Sequence, residues 1–326
     1  MLLANKNINI KNIVIYKICL KKYKKIENRI RRKAKKQKSK LLLLLIKIIF
    51  VILILLYILL IIYKLYNKYK YIQDDLTIVS AYYKIKSKNK DEEYYDWIRN
   101  FVLLNKSIVF FTNKEFMPTI KKLRPKELYY KTVFIELEIE EFYSYKNFYN
   151  KFQESLKIDF ENIYHTVPLY LIWAEKSTFL KKAILKNYFR SKCFYWIDAG
   201  YFRYENEMNK LINWPSTNKC LQDNRLLLGQ IGRFSDSDIK GIINFDKNSH
   251  YNLQRKNNVI GGIFGGQKIN TLKFVNLYYK ALKLFIINKI FIGKDQNIFA
   301  FVAFSNPDVV KLKLCKSYYD FISYLA

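Results

Sequence analysis

Residues 193–200 read CFYWIDAG, a run of cysteine, aromatic and isoleucine side chains that ends in an acid and a glycine. A short apolar run bounded by turn residues is typical of a strand that is buried on both faces of a sheet. We therefore expect a buried strand that leaves the core at Asp198. An acid in this position either binds a ligand, such as a Mg²⁺ or Mn²⁺ ion, or accepts hydrogen bonds from the N–H groups of a turn. The spacing alone favours neither interpretation.

Outside this run, apolar strand patterns alternate with helical patterns. Strands are expected at residues 76–83, 107–113, 131–138 and 259–267, and helices at residues 91–104, 143–160, 169–185 and 269–286. This alternation predicts an α/β domain with a mainly parallel sheet. Ligands of such domains bind beyond the carboxyl ends of the strands, and Asp198 occupies such an end.

Four glycines surround Ile263 and Phe264 in the segment GGIFGGQ, which directly precedes a predicted helix. The segment matches neither the G-x-G-x-x-G dinucleotide pattern nor a phosphate-binding loop. Its glycines permit a backbone wall against a flat ligand such as a sugar ring, or a tight turn with positive φ. The residues concerned are Gly261, Gly262, Gly265 and Gly266.

Asp295 and Gln296 belong to the segment GKDQN at the start of another apolar run. An acid next to an amide can bind the hydroxyl groups of a sugar, and Asp295 can act as a general base. The alternative is a helix that begins with an acid close to its N-terminal dipole.

Lys176 lies in the predicted helix at residues 169–185, where its side chain is long enough to reach a phosphate. Most helical lysines are solvated, and this remains the alternative. The literal D-x-D of Asp236 and Asp238 follows no apolar strand, so it ranks below Asp198 as a ligand.

Residues 41–63, LLLLLIKIIFVILILLYILLIIY, carry one charge, Lys47, and are about 35 Å long as a helix. We expect a single transmembrane helix. Residues 1–40 hold 15 lysines and arginines against one acid, which predicts a cytosolic N-terminus and a type II signal-anchor topology. The expected organisation is a basic arm (1–40), the anchor (41–63), a short stem (64–75) and one globular domain (76–326).

The formal net charge of +31 does not indicate a nucleic-acid partner. Lysine, asparagine, isoleucine and tyrosine are abundant together, with 28 tyrosines, as A/T-rich codon usage produces. Of four cysteines, Cys193, Cys220 and Cys315 follow the anchor, so one disulfide bond can form there. Two histidines and the lack of a C-x-x-C pattern make a Cys/His zinc site improbable.

Taken in order, several segments resemble the HtrL/YibB family, also called WlaTC-like, of predicted glycosyltransferases. The resemblance covers about Thr77 to Asp308. The matching segments are TIVSAYY, FFTN, LYLIWAEKSTFLKKAI, FYWIDAGYFR, the Trp214-Pro215 pair, GGIFGG and GKDQ. The resemblance implies an α/β domain of the GT-A type that binds a nucleotide sugar.

The resemblance also implies roles for individual residues. Asp198 would be the acid next to a divalent cation, Mn²⁺ or Mg²⁺, and the diphosphate. Lys176 and Arg203 would contact the phosphates, and the segment Gly261–Gly266 with Asp295 and Gln296 would form the sugar and acceptor side.

Gly200 stands where most GT-A enzymes have the second acid of D-x-D. Its lack of a side chain lets the backbone approach the ligand closely. Either one carboxylate suffices with help from elsewhere, or lysine and arginine neutralise the phosphates.

These expectations together describe a type II membrane protein of the Golgi or endoplasmic reticulum. Its lumenal domain would transfer a sugar from a nucleotide-sugar donor to a glycan, lipid-linked or protein acceptor. A catalytically inactive glycan-binding protein with the same fold is the alternative. A third interpretation is a basic protein of the membrane surface that acts through residues 1–40.

Overall fold

The computed structural model describes residues 17–28, 39–69, 72–87, 89–205, 208–256 and 258–326. These residues form two compact units, which divide between Tyr69 and Lys70. In the first unit, residues 17–28 form helix α1. Most of the predicted basic arm lies outside the described residues.

Helix α2, Ser39–Tyr69, contains the predicted anchor. Its segment Ile46–Tyr63 has a mean hydropathy of 3.1 and is not buried. Within the described ranges, α2 is the one helix that is long and apolar enough to cross a membrane, by length and composition. The predicted stem is partly helical, because α2 continues to Tyr69. Its last residues belong to the second unit, where the N–H of Asp74 donates to the carbonyl of Phe189 at 3.0 Å.

The second unit contains a seven-stranded sheet with the order β3-β2-β1-β4-β6-β5-β7. The strands are β1 (Leu76–Ala81), β2 (Ser107–Thr112), β3 (Thr132–Glu136), β4 (Cys193–Ile197), β5 (Leu226–Gln230), β6 (Val259–Gln267) and β7 (Val310–Leu314). β6 is antiparallel to both of its neighbours, and the other strands are mutually parallel. The prediction of an α/β domain with a mainly parallel sheet is therefore confirmed.

Helices cover both faces of this sheet. They are α3 (Asp91–Val102), α4 (Met117–Leu123), α5 (Tyr143–Leu156), α6 (Val167–Lys186), α7 (Met208–Leu211), α8 (Thr217–Leu221), α9 (Asp236–Ile243), α10 (Lys247–Arg255), α11 (Lys268–Ile287), α12 (Asp295–Ser305) and α13 (Tyr318–Tyr324). Asp236 and Asp238, the literal D-x-D, lie in the first turn of α9, where Ser235 caps the helix.

Strand β4 shows why an unbroken apolar run forms a central strand. Its side chains alternate between the two faces of the sheet. Cys193, Tyr195 and Ile197 join the core with α3, α4 and α13, whereas Phe194 and Trp196 join the core with α5, α6, α11 and α12. Since both faces are covered, every position of the strand is buried and apolar.

Cys193 forms a disulfide bond with Cys220, which joins β4 to α8. This is the single bridge that the cysteine count allows beyond the anchor. Cys315 is a buried free thiol.

The glycine-rich segment at residues 259–267 is a continuous strand, β6, and the alternative of a tight turn is wrong. In the described part of the chain no glycine has a positive φ. A Cβ atom on Gly265 would lie 2.2 Å from the carbonyl oxygen of Phe194, and one on Gly266 would lie 3.1 Å from that of Arg225. These two glycines allow β6 to pack against its neighbours and do not face a ligand.

The order of the strands creates a crevice between β1 and β4. From β1 the chain adds β2 and then β3 on one side, and it returns through α5 and α6 to place β4 on the other side. The connections that follow the two strands therefore diverge at their carboxyl ends. Such a switch point is where open α/β sheets bind their ligands.

Candidate active site

A cleft of about 630 Å³ opens at this switch point. Residues 81–83, at the end of β1 and just beyond it, line one wall, and residues 198–201, which follow β4, line the opposite wall. Aromatic rings supply much of the remaining surface. They include Tyr82, Tyr94, Trp97, Tyr164, Trp173, Trp196, Tyr201, Tyr204, Tyr318 and Tyr319.

One face of helix α6 forms the floor of the cleft. Leu169, Ile172, Trp173 and Lys176 all line it, at the spacing of three and four residues that places side chains on the same helical face. The prediction of a strong helix here is confirmed, but this face does not point to bulk solvent. The alternative that Lys176 is solvated is wrong.

Lys176 is buried between two carboxylates. Its Nζ atom lies 3.1 Å from Oδ1 of Asp198 and 3.0 Å from Oδ2 of Asp295, and it donates to the carbonyl of Gly261 at 3.0 Å. The lysine side chain is 4% exposed. The cluster thus joins α6, the end of β4, β6 and the start of α12.

Lys176 donates hydrogen bonds to Oδ2 of Asp198 at 3.3 Å and to Gly261, and Asp295 is its ion-pair partner. Since the ammonium group is buried among these partners, it is not placed to contact a phosphate, so the role that the resemblance implied does not match its geometry. Burial by itself would lower the pKa of Lys176, but the carboxylates of Asp198 and Asp295 outweigh burial and raise it. Lys176 therefore stays charged, and it holds the carboxylates of Asp198 and Asp295 through ion pairs.

Asp198 is the acid that faces the cleft. Its side chain is 38% exposed. Its Oδ1 atom accepts a hydrogen bond of 2.6 Å from Nε1 of Trp196, and its N–H donates to the carbonyl of Gly262 at 2.8 Å. Lys176 donates to the other oxygen, Oδ2, at 3.3 Å, so each oxygen of the carboxylate has a partner while the side chain still faces the cleft.

This arrangement fits a divalent cation that a substrate helps to bind. The described residues contain no group of three His, Cys, Asp or Glu side chains that would hold a metal by themselves. Mg²⁺ is commonly bound by one or two carboxylates together with substrate phosphates. With both acids ionised, two carboxylates and one ammonium leave the cluster with a net negative charge, which favours a cation at Asp198.

Asp295 begins α12, as the helix-start alternative proposed, and it also belongs to the cluster. Its Oδ1 atom accepts the N–H of Gln296 at 2.8 Å, and Nε2 of Gln296 donates to the carbonyl of Val259 at 2.6 Å. Burial raises the pKa of Asp295, and Lys176 opposes the rise. Since the side chain is 4% exposed and its Oδ2 atom lies 3.0 Å from Nζ of Lys176, Asp295 is poorly placed to take a proton from an acceptor.

Two of the four predicted glycines lie at the site. A Cβ atom on Gly261 would lie 3.0 Å from Oδ1 of Asp295, and one on Gly262 would lie 2.7 Å from the ring of Tyr201. Both line the cleft, as does Gly200. The first two allow β6 to approach the acidic cluster closely.

Arg203 lies at the rim of the cleft and is exposed. Its guanidinium carbon is 4.5 Å from the ring centroid of Trp97, so the arginine stacks on the aromatic wall. Lys86 also lines the cleft. These two cations, and not Lys176, can reach a phosphate from this side.

A second polar cluster, which the sequence did not single out, lies in the loop between α5 and α6. Nδ1 of His165 is 2.6 Å from Oδ2 of Asp159, and the hydroxyl of Tyr170 donates to the same oxygen. The N–H of Glu161 donates to Oδ1 of Asp159 at 3.0 Å. His165 lines the cleft together with Tyr164. His165 belongs to no sequence motif, and only the fold shows that Asp159 is its partner.

A family model described as "Bacterial protein of unknown function (HtrL_YibB)" matches residues 74–326. The match covers nearly the whole second unit, including both polar clusters. A search of the curated proteins found no relative with significant similarity.

Proposed function

The chain belongs to the HtrL_YibB family of bacterial proteins of unknown function, and from the chemistry of its cleft we propose that it is a membrane-anchored glycosyltransferase. It transfers a sugar from a nucleotide-sugar donor to a glycan, lipid-linked or protein acceptor. The observation that carries this proposal is the exposed carboxylate of Asp198, held by Lys176 and Trp196 at a switch point of the sheet.

The diphosphate of the donor needs a positive partner, because the Lys176 cluster has no positive charge to spare. We assign a Mn²⁺ or Mg²⁺ ion to Asp198, where it would neutralise the diphosphate leaving group. Arg203 and Lys86, which also line the cleft, add positive charge. Asp295 keeps Lys176 charged and in place, which in turn fixes the orientation of Asp198.

The aromatic walls suit the rest of the donor. Tyr94 is partly exposed and packs edge to face on the buried Trp97 at 5.0 Å, so its ring offers apolar surface to a base or a sugar ring. A nucleotide sugar combines such flat groups with a charged diphosphate, and the cleft combines aromatic walls with Asp198 and Arg203. The GT-A type of this domain is part of the proposal. So is a lumenal position in the Golgi or endoplasmic reticulum, which rests on the apolar helix α2 and the basic residues before it.

The same aromatic walls favour a second candidate function, glycan binding without catalysis. Aromatic rings bind sugars in enzymes and in binding proteins alike, so the aromatic walls do not distinguish glycosyl transfer from glycan binding. The buried charges of Lys176 and Asp295 support catalysis, because burying charges is costly and a binding groove has no need of them.

Nucleotide release from a panel of nucleotide sugars tests the proposal. The full-length protein in detergent is assayed with Mn²⁺ beside Asp198→Ala, and Asp236→Ala serves as the control because it removes an exposed acid of the literal D-x-D. We expect release from one donor, retained in Asp236→Ala and lost in Asp198→Ala. No release from any donor by folded protein, with an acceptor pool supplied, would favour the glycan-binding function.

A further inference from the structure

The proposed reaction needs a base, and Asp295 is too deeply buried to supply it. A sugar acceptor loses the proton of its hydroxyl group when the oxygen attacks. The group that takes this proton must line the cleft and keep one lone pair free. Among the described residues that line the cleft, His165 meets both conditions.

We propose that His165 is the general base of the transfer reaction and that Asp159 is its positioning residue. This inference rests on the proposed function. The geometry is that of a histidine whose two nitrogens have different surroundings. Nδ1 lies 2.6 Å from a buried carboxylate oxygen, while Nε2 is on the opposite edge of the ring, which is 11% exposed.

Asp159 is equipped to fix the tautomer of the imidazole. Its burial alone would raise its pKa, but hydrogen bonds from His165, Tyr170 and the N–H of Glu161 outweigh burial and lower the pKa to about 2. An ionised carboxylate only accepts, so Nδ1 carries the hydrogen, and in the neutral imidazole Nε2 is then the acceptor. The ring is also packed edge-on against Trp173 at 5.2 Å.

Charged groups connect His165 to the first cluster. Oε2 of Glu161 lies 4.0 Å from Nε2 of His165. Glu161 is in turn paired with Lys294, which is buried and directly precedes Asp295. The loop that carries His165 is therefore fastened to the N-terminus of α12, where the Lys176 cluster lies. Together with Asp159 and Tyr170, these are the titratable groups that the contacts place around the imidazole.

The distance between the two clusters leaves room for a sugar. His165 directly precedes Thr166, the N-cap of α6. About ten residues of helix separate that cap from Lys176, which is about 15 Å along the axis. The lysine side chain leans toward the N-terminus of its helix, which shortens this span. A sugar ring between the diphosphate and the acceptor hydroxyl occupies the intervening space.

The step is a single displacement. The acceptor hydroxyl gives its proton to Nε2 of His165, and its oxygen forms a bond to the anomeric carbon of the donor sugar. The bond from that carbon to the diphosphate oxygen breaks, and its electron pair leaves on the nucleoside diphosphate. The proton later passes from the imidazolium ion to water.

The test uses the full-length protein in detergent and the nucleotide sugar from which wild type releases nucleotide fastest, with water as the acceptor. His165→Gln is expected to lower kcat by about 10²- to 10⁴-fold, the range of general-base catalysis, with KM for the donor nearly unchanged. Asp159→Asn is expected to lower kcat by less. His250→Gln, which removes the other histidine of the chain from its bond to the carbonyl of Ile242, is the matched control.

Sodium azide separates a base from a structural role, because the azide anion attacks without losing a proton. Azide should restore nucleotide release by His165→Gln and by His165→Asn, and it should not restore release by Lys176→Met. If wild type turns over a donor and azide fails to rescue either His165 variant, the inference is wrong while the proposed function stands. If wild type releases nucleotide from no donor, the proposed function itself fails.

Nitrogen NMR of the two histidines gives a second readout that needs no substrate. We expect neutral His165 in the Nδ1–H form, and a change in this tautomer in Asp159→Asn. An Nε2–H form in wild type would overturn the inference whatever the activity.

Discussion

The two polar clusters of the cleft both pair a basic side chain with carboxylates, but they differ in the groups that remain available. Lys176 is 4% exposed, and its ammonium group is surrounded by Asp198, Asp295 and the carbonyl of Gly261. His165 contacts Asp159 through Nδ1 and lines the cleft. A surrounded ammonium group holds its neighbours in place, whereas an imidazole with one free nitrogen can exchange a proton. In the proposed mechanism the first cluster therefore has an electrostatic role and the second transfers a proton.

Removing the ammonium group of Lys176 should have the largest effect on both stability and activity. Lys176→Met leaves Asp198 and Asp295 close together without their shared cation, and the loss of one partner from a buried ion pair costs about 3–5 kcal/mol. We expect a loss of this size in the free energy of unfolding, measured by urea denaturation, and no detectable nucleotide release.

Arg124 provides the matched control for this substitution. It is also buried, but it donates to the carbonyls of Val102 and Leu104 and does not line the cleft. Arg124→Met should lower stability while each folded molecule keeps its activity. If Lys176→Met were as stable and as active as wild type, the Lys176 cluster would contribute neither to stability nor to nucleotide release.

Chelation tests the proposed metal ion, because the buried Lys176 cannot take the place of a metal ion at the diphosphate. We expect EDTA to reduce nucleotide release by about 10²-fold or more, since metal ions contribute several kcal/mol to such reactions, and Mn²⁺ or Mg²⁺ to restore it. Release that is unchanged by EDTA would mean that Arg203 and Lys86 neutralise the diphosphate alone.

The Asp159–His165 cluster should make the free energy of unfolding depend on pH. The pKa of Asp159 is lowered to about 2 in the folded protein. A lowered carboxyl pKa stabilises the fold above the unfolded value near 3.9, and this contribution, about 2–3 kcal/mol, is lost as the pH falls through the folded value. Asp159→Asn should be less stable than wild type at pH 7 and should approach it at low pH. Parallel urea denaturation curves at pH 7 and pH 3 measure the difference, and an equal gap at both values would contradict it.

The smallest effect is expected at the rim of the cleft. Arg203→Ala removes one exposed cation and its stacking on Trp97, which together contribute about 1 kcal/mol. We expect a rise of roughly fivefold in KM for the donor at unchanged kcat, because 1.4 kcal/mol corresponds to tenfold. Arg203→Lys should recover part of the loss. A large fall in kcat would instead place Arg203 among the groups that contact the leaving phosphate in the transition state.

The sheet was predictable where the strands are buried on both faces. Strands β1, β2 and β4 can be predicted from their apolar runs alone, because every side chain of these strands is buried. Strands β5 and β7 were missed. β7 reads VKLKL and alternates because it is an edge strand, and five residues are too short for that pattern to stand out. The antiparallel direction of β6 depends on its partners and is not encoded in GGIFGG.

The site was predictable only one residue at a time. Asp198 could be selected because an acid at the end of an apolar run calls for an explanation, and Asp295 because it begins an apolar segment. That Lys176 joins both follows from the packing of α6 against β4 and α12, which no local pattern records. His165 had no signal at all, because its significance depends on Asp159 and on the position of their loop beside the cleft.

Binding of nucleoside diphosphates in the presence of Mn²⁺ tests the central claim most directly. Trp97, Trp173 and Trp196 line the cleft, so their fluorescence reports its occupancy in the full-length protein. We predict that one nucleoside diphosphate quenches this fluorescence in a saturable way, and that Asp198→Ala or removal of the metal abolishes the binding while Asp236→Ala does not. No saturable quenching by any nucleoside diphosphate, or equal binding by Asp198→Ala, would contradict a diphosphate site at the end of β4.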